Sequence, residues 1–122
     1  MTHRKQIAAA FLQLASSGNV AEAFARYVHP DFIHHNPYFK GDRTSFMNAM
    51  EENGQHFPDK TYETLRVLED GDLVAIQGKV TLAPESQWSV IHIFRFEGDL
   101  IIESWEASQQ LLDHSPNQYG IF

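Results

Sequence analysis

A histidine and a glutamate with the chemistry of an acid/base pair lie toward the end of the chain, at His92 and Glu106. The segment 88–96 around His92 is rich in β-branched and aromatic residues and predicts a strand, whose alternation places the imidazole in an apolar row. A buried imidazole beside a buried carboxylate can move protons, because desolvation raises the carboxylate pKa while a nearby imidazolium lowers it. The alternative interpretation is a structural hydrogen bond, or a glutamate on a solvated face.

The turn between the last two strands decides whether these two side chains meet. If Glu97-Gly98-Asp99 forms a three-residue loop, His92 lies opposite Ser104 and diagonal to Glu106, within reach of long side chains. A two-residue turn would reverse the parity and separate the two side chains. The prediction of a shared face therefore depends on the longer loop.

The elements that must hold this pair are predicted to be helices first and long strands afterwards. Apolar residues recur at three- and four-residue steps after Thr2 and Asn19, which predicts two helices, and a third helix is predicted from Thr44 to about Gly54. Segments typical of strands follow at 62–69, 73–82, 88–96 and 100–110. This order predicts an α+β fold in which N-terminal helices pack on a strongly curved antiparallel sheet around a pocket.

Length and composition indicate one domain over residues 1–122, with an irregular tail from about residue 111. The chain has no cysteine, which excludes disulfides, thiolate metal sites and cysteine nucleophiles. With 16 acidic and 9 basic residues the chain would repel a phosphate backbone, so nucleic acid is not an expected partner. It contains no apolar stretch of about 18 residues, so we expect no membrane contact and a soluble, cytoplasmic protein.

Two segments carry a resemblance to a known family: Phe32-Ile33-His34-His35-Asn36-Pro37, and the run 91–106 with the trailing Gln109. They resemble the nuclear transport factor 2-like superfamily, in particular its SnoaL-like polyketide cyclase branch, and the likeness extends from the first helix to about Gln110. The resemblance implies a cone-shaped α+β barrel, cystatin-like and ketosteroid-isomerase-like, with a deep apolar pocket. It also implies a homodimer whose sheets pack together and, in the cyclases, a cofactor-free intramolecular aldol closure.

The resemblance also assigns roles to the acid/base pair. The acid/base of the cyclases is an Asp after the last-strand Trp, a position that Glu106 occupies here, and their partner His matches His92. Glu is one methylene longer than Asp, and a shift of about 1 Å in an acid/base group can cost about 10²-fold in rate. We predict Glu106 and His92 as the catalytic residues, with no cofactor.

Three functions are compatible with these residues, because the scaffold that they resemble carries many activities. The first is a cofactor-free acid/base enzyme for a small apolar carbonyl compound, of the aldol cyclase or isomerase type, in which Glu106 removes a proton and His92 assists. The second is a hydrolase or hydratase in which Glu106 activates water. The third is a non-catalytic module for small-ligand binding or dimerisation.

Four residues are predicted to bind the substrate, a small apolar or aromatic molecule. His35 and Asn36 match a His-Asn segment that borders the pocket in the family, and Trp88 and Tyr38 can supply flat aromatic walls. Adjacent side chains on an extended segment point to opposite faces, so His34 and His35 cannot easily chelate one ion. No metal site is predicted.

Overall fold

Three helices and five strands follow one another in the computed structural model, which describes residues 2–122. The helices are α1 (His3–Ser16), α2 (Val20–Tyr27) and α3 (Arg43–His56). The strands are β1 (Val28–His35), β2 (Thr61–Asp70), β3 (Leu73–Ala83), β4 (Ser86–Glu97) and β5 (Leu100–Gln110). The predicted α+β fold is confirmed, with one strand, β1, placed between α2 and α3. No helix in residues 2–122 is long and apolar enough to cross a membrane.

The five strands form one sheet in the order β1-β5-β4-β3-β2. β1 runs parallel to β5, and the other neighbouring pairs are antiparallel, so β5 is hydrogen-bonded on both edges. Bulges at Leu65 in β2 and at Ile102 in β5 each leave one residue outside the ladder. Because a bulge bends its strand and increases the local twist, both positions help the sheet to curve around the helices.

The hairpin of α1 and α2 is set by the way α1 ends. Gly18 has a φ of +89°, which glycine adopts without strain. Its N–H donates to the Ala15 carbonyl at 3.4 Å, and the Asn19 N–H donates to the Leu14 carbonyl at 3.1 Å, which is the pattern of a Schellman motif. The chain therefore reverses at once, and α2 begins at Val20.

Four buried phenylalanines join the helices to the sheet. Phe24 of α2 lies between Phe11 of α1 and Phe46 of α3, with ring centroids 5.5 Å and 5.4 Å apart. Phe94 of β4 meets Phe11 edge to face, with the centroids 5.8 Å apart. Each such pair contributes about 0.5–1.5 kcal/mol beyond the burial of its area. One aromatic cluster thus holds all three helices against the inner face of the sheet.

The start of α3 lies one residue before the predicted position, Thr44. The helix begins at Arg43 and is capped by Asp42, whose two carboxylate oxygens accept hydrogen bonds from the Ser45 N–H at 3.1 Å and the Ser45 hydroxyl at 2.6 Å. These hydrogen bonds, which favour the ionised form, lower the pKa of Asp42. The cap fixes the first turn of α3 and therefore the position of Phe46.

Residues 111–122 form neither helix nor strand and return to the outer face of the sheet. The Leu111 N–H donates to the Gln87 carbonyl at 2.9 Å. At the end of the chain, the Phe122 ring lies 4.8 Å from Lys79 Nζ, a cation–π distance. The tail therefore contacts the side of the sheet that faces away from the helices.

A side chain at Gly78 would collide with a buried ring. A Cβ built there would lie 2.6 Å from Tyr62 Cζ, and Tyr62 is only 7% exposed. We predict that Gly78→Ala lowers the free energy of unfolding by about 1–3 kcal/mol, because the ring must leave its place. Urea denaturation followed by circular dichroism measures the change.

The matched control is Gly54→Ala in α3. Nothing lies within 4 Å of a Cβ at Gly54, so this variant should be more stable than the wild type by about 0.5–1 kcal/mol. Wild-type stability of the Gly78→Ala variant would show that the Tyr62 ring is not packed against Gly78.

Candidate active site

The turn between β4 and β5 is shorter than predicted. Glu97 pairs with Leu100, so the turn contains only Gly98 and Asp99, and the predicted three-residue loop is wrong. Gly98 has a φ of +60°, which glycine supplies without strain at the first position of a two-residue hairpin turn. By itself this turn would put the two predicted catalytic side chains on opposite faces of the sheet.

The bulge in β5 restores the shared face. Ile102 lies outside the ladder and shifts the register of the rest of the strand by one residue. His92 consequently pairs directly with Glu106, and its predicted pairing with Ser104 is wrong, since Ser104 lies opposite Phe94. Directly opposite side chains are closer than diagonal ones in an antiparallel pair, so the imidazole and the carboxylate lie nearer to each other than the sequence indicated.

A second imidazole reaches the same carboxylate from the other edge of β5. His34 of β1 lies beside Ser104, two residues before Glu106. His34 Nε2 is 3.8 Å and His92 Nδ1 is 3.6 Å from Glu106 Oε1. Both nitrogens are buried, and neither has a hydrogen-bond partner within residues 2–122. Two imidazoles thus flank one carboxylate oxygen at distances just too long for hydrogen bonds.

Asn36 determines which nitrogen of His34 carries the proton. The Asn36 Oδ1 accepts the N–H groups of Tyr38 and Phe39 at 2.7 Å and 2.8 Å, so its amide nitrogen must face His34 Nδ1, 3.0 Å away. An amide nitrogen only donates, and Nδ1 must therefore accept. The neutral imidazole consequently carries its hydrogen on Nε2, the atom that faces Glu106.

Burial keeps both imidazoles neutral near pH 7. Desolvation lowers the pKa of His34 from 6.5 to about 4, although the nearby Glu106 carboxylate acts in the opposite direction. Desolvation also lowers the pKa of His92 to about 4. Neither side chain is therefore a cation that would hold Glu106 as a permanent ion pair. Both are poised as neutral hydrogen-bonding groups.

The Glu106 carboxylate lies in the wall of a cavity that is partly open to solvent. Its side chain is 35% exposed, and the residue lines the cavity. Burial raises the pKa of Glu106 above its ordinary value of 4.5, while the charge interaction with His34 opposes the rise. A carboxyl group in such a place is a stronger base than an exposed glutamate when it is ionised.

The cavity has a volume of about 280 Å³ and mainly apolar walls. Its lining comes from α1, α3, the inner faces of the strands and two loops, and consists of Leu12, Ser16, Phe39, Phe46, Ala49, Met50, Asn53, Lys60, Tyr62, Val80, Leu82, Trp88, Val90, His92, Glu106 and Ser108. The polar groups include two pairs, His92 with Glu106 and Lys60 with Asn53. Such a cavity suits one small apolar molecule that is oriented by a small number of polar contacts.

The structure brings only part of the predicted substrate-binding set to the cavity. Trp88 lines it, whereas Asn36 does not and instead hydrogen-bonds to His34, which lies beside Glu106. Tyr38 is 89% exposed and lies away from it. His35 points to the outer face, where its Nε2 is 2.7 Å from Glu103 Oε2.

The predictions of His35 and Tyr38 as substrate contacts therefore find no support in their positions. Strand alternation explains the placement of His35, because its neighbour His34 takes the inner face. His35 also stacks on Trp105 on the outer face, with the ring centroids 5.0 Å apart. Among residues 2–122, no three His, Asp or Glu side chains are arranged to hold a metal ion.

Several residues of the site were not predicted from the sequence, among them His34, Tyr62 and Lys60. His34 was missed because Phe32 and Ile33 are both apolar, so alternation in β1 does not say which histidine faces inward. Tyr62 can be recognised only from the fold, because its ring packs over Gly78 on the neighbouring strand. Lys60 precedes β2 in a short loop and carries no signal in the sequence.

The fold and the site define a class of proteins in which three helices pack on a curved, mostly antiparallel sheet around a cavity. The SnoaL-like domain family matches residues 8–104, and the chain belongs to this family. The resemblance stated from the sequence is thereby confirmed. No match was found among curated proteins.

Solved structures share this fold at low sequence identity. A candidate polyketide cyclase from Acidithiobacillus ferrooxidans is 19% identical, with a TM-score of 0.77 over 88% of this chain and 89% of that chain. A candidate ketosteroid isomerase from Kribbella flavida is 16% identical, with a TM-score of 0.73 over 95% and 84%. A cystatin-fold protein from Novosphingobium aromaticivorans is 17% identical, with a TM-score of 0.73 over 88% and 98%. Identities this low establish the fold alone.

The two buried imidazoles make stability depend on pH. The pKa of His92 is about 4 in the folded protein and 6.5 ordinarily, so the unfolded chain binds protons first and stability is lost as the pH falls through that window. We predict that the free energy of unfolding falls less between pH 7 and pH 5 in His92→Gln than in the wild type, by about 2 kcal/mol. Urea denaturation at both pH values measures it.

The raised pKa of Glu106 contributes to the pH dependence of stability with the opposite sign, because the folded protein binds this proton more readily than the unfolded chain does. The contribution is present in both the wild type and His92→Gln. His114→Gln in the exposed tail is the matched control and should keep the wild-type pH dependence. An equal loss of stability in the wild type and His92→Gln would mean that His92 is not held neutral by the fold.

Proposed function

We propose that this protein is a cofactor-free acid/base enzyme that acts on a small, largely apolar carbonyl compound, of the aldol cyclase or isomerase type. The observation that carries the proposal is the Glu106 carboxylate in the wall of an apolar cavity, flanked by His34 and His92. Burial raises the pKa of this carboxyl group, which strengthens its ionised form as a base. Glu106 is the general base in this proposal, and it later returns the proton.

The reaction begins when the ionised Glu106 takes a proton from the carbon next to the substrate carbonyl. The C–H bond breaks, the proton passes to a carboxylate oxygen, and the electron pair becomes an enolate. His92 also lines the cavity and donates a hydrogen bond to the enolate oxygen, where a preorganised donor is worth about 3 kcal/mol. The enolate carbon then attacks a second carbonyl of the same molecule, or receives the proton from Glu106 at another position.

His34 has a supporting part in this mechanism. Its Nε2–H faces Glu106 Oε1, so the bond dipole stabilises the ionised carboxylate without a fixed charge. The pKa of His34 is about 4, whereas burial raises that of Glu106 above 4.5, so the abstracted proton stays on the glutamate. The proton is therefore available for return to the substrate.

The comparisons agree with this class of reaction and leave the substrate open. The chain belongs to the SnoaL-like domain family, and two of its structural neighbours are named as a candidate polyketide cyclase and a candidate ketosteroid isomerase. These neighbours are 19% and 16% identical to the chain, so their substrates do not carry over. The proposal rests on the geometry around Glu106 and on the chemistry of its neighbours.

A second candidate function is favoured by the spacing of the three groups. The distances of 3.6 Å and 3.8 Å leave His92 Nδ1 and His34 Nε2 without direct partners, and a water could bind Glu106 from the side of the cavity, beside His92. Glu106 could then deprotonate that water for hydrolysis or hydration. Oxygen from H₂¹⁸O enters the product of such a reaction and stays out of the product of an isomerase.

Replacing Glu106 with an amide tests the general base directly. We predict that Glu106→Gln reduces the catalysed exchange of the α-protons of 2-tetralone with deuterium oxide by at least about 10²-fold, because an amide cannot accept the proton. Proton NMR measures the rate. The matched control is Glu103→Gln, which makes the same change in the same strand on the outer face and should retain the wild-type rate.

Full retention of exchange in Glu106→Gln would exclude Glu106 as the base. Tight binding of cyclic ketones by the wild type and by Glu106→Gln, with no α-proton exchange in the wild type, would favour a non-catalytic binding module. In that case Glu106→Gln should bind at least as well as the wild type, because removal of a buried charge relieves its desolvation.

We also propose that the protein forms a homodimer through the outer face of the sheet, as the resemblance implies. Leu68, Ile91 and Ile93 lie on this face and are 65%, 45% and 39% exposed, and apposition of two copies would remove this apolar area from water. We predict a dimer in size-exclusion chromatography with light scattering, and a monomer for Ile93→Lys. Leu112→Lys in the tail is the control and should remain a dimer, whereas a monomeric wild type would contradict the proposal.

A further inference from the structure

A lysine that the proposed mechanism does not use lines the same cavity. Lys60 lies just before β2, and its Nζ donates to Asn53 Oδ1 of α3 at 2.6 Å. An ammonium group has three donors, and within residues 2–122 no carboxylate lies within 4.0 Å of this one. The ammonium group therefore has donors left for a ligand.

The surroundings of Lys60 make an anionic partner favourable. Leu82, Val80 and Trp88 line the cavity together with Lys60, and burial lowers the pKa of the lysine. A charged group beside apolar walls loses solvation and is stabilised when an opposite charge binds to it. The single hydrogen bond to Asn53 holds the side chain toward the cavity without neutralising it.

Lys60 and the acid/base pair occupy different levels of the sheet. Thr61 pairs with Thr81 and Thr81 with Gln87, so Lys60 lies just beyond Gln87, at the end of β4 where Ser86 is found. His92 is six residues from Ser86 along β4, which corresponds to about 20 Å along a strand. The cavity thus has a cationic group at one level and the Glu106 carboxylate at another.

We propose that Lys60, positioned by Asn53, binds a carboxylate of the substrate, so that the substrate class is a small apolar carbonyl compound carrying a carboxylate group. This inference rests on the proposed function for the reacting end and adds the recognition of the other end. The ionised Glu106 repels a second carboxylate, so the charged end of the ligand lies at Lys60 and the carbonyl end lies at Glu106. Lys60 is a specificity-determining residue in this arrangement.

Two compounds of the same shape test the proposal by calorimetry. 4-Acetylphenylacetate has a carboxylate at one end and a ketone at the other, and 4-acetylphenylacetamide is its neutral counterpart. A charge-assisted hydrogen bond in a partly buried site should make the wild type bind the acid at least about tenfold more tightly than the amide. Lys60→Met should abolish this preference and leave the affinity for the amide unchanged, and Lys60→Arg should retain part of it.

The matched control is Lys40→Met, which removes the same charge from an exposed position and should keep the wild-type preference. Retention of the preference in Lys60→Met, or loss of it in Lys40→Met, would overturn the proposal. Equal affinity of the wild type for the two compounds, or no binding of either, would also overturn it.

Binding and proton exchange separate this inference from the proposed function. Glu106→Gln should keep the preference for the carboxylate or increase it, because a repelling charge is removed. A preference that depends on Lys60, in a protein that exchanges no α-protons, would sustain the lysine site and reject the enzyme mechanism. Exchange that depends on Glu106 without any preference for the acid would reject the lysine site alone.

Discussion

The pairing of β5 on both of its edges is the constraint on which the site depends. Its antiparallel partner β4 brings His92 opposite Glu106, and its parallel partner β1 brings His34 to the other side of the same carboxylate. Side chains alternate strictly along a strand, so a change of one residue in register would turn Glu106 to the outer face. The bulge at Ile102 supplies that one residue after a two-residue turn. A local irregularity of the backbone thus decides whether Glu106 shares a face with His92 and His34.

Desolvation shifts the pKa values of all three titratable groups at this site. Ordinarily a carboxylate near two histidines would pair with imidazolium ions, which would lower its pKa and weaken it as a base. Here desolvation lowers the pKa of His34 and His92 to about 4, so the neighbours of Glu106 are neutral dipoles. Asn36 fixes one of these dipoles by accepting two backbone N–H groups and donating to His34. The fold therefore keeps the carboxylate basic and oriented at the same time.

Secondary-structure elements with a local sequence pattern could be predicted from the sequence alone. Strands β2 to β5 lie within two residues of their predicted limits, because β-branched and aromatic runs between turn residues are a local pattern. The shared face of His92 and Glu106 was predicted correctly but from a wrong turn. A two-residue turn and the bulge at Ile102 together preserve the parity that one longer loop would have given, and no glycine marks the bulge. The choice of His34 over His35 depends on the pairing of β1 with β5, which only the tertiary structure determines.

The role proposed for Lys60 depends on the charge of the whole chain. A protein with a net charge of −7 repels an anionic ligand at long range, so an anion can bind only where a local cation outweighs the field. Salt screens the distant charges beyond about 8 Å at physiological ionic strength, whereas a partly buried ammonium group is screened much less. The same burial that lowers the pKa of Lys60 also strengthens its interaction with a bound carboxylate. A single lysine in an apolar wall can therefore select anionic ligands for an acidic protein, and the basic Glu106 in the same cavity determines which way round they lie.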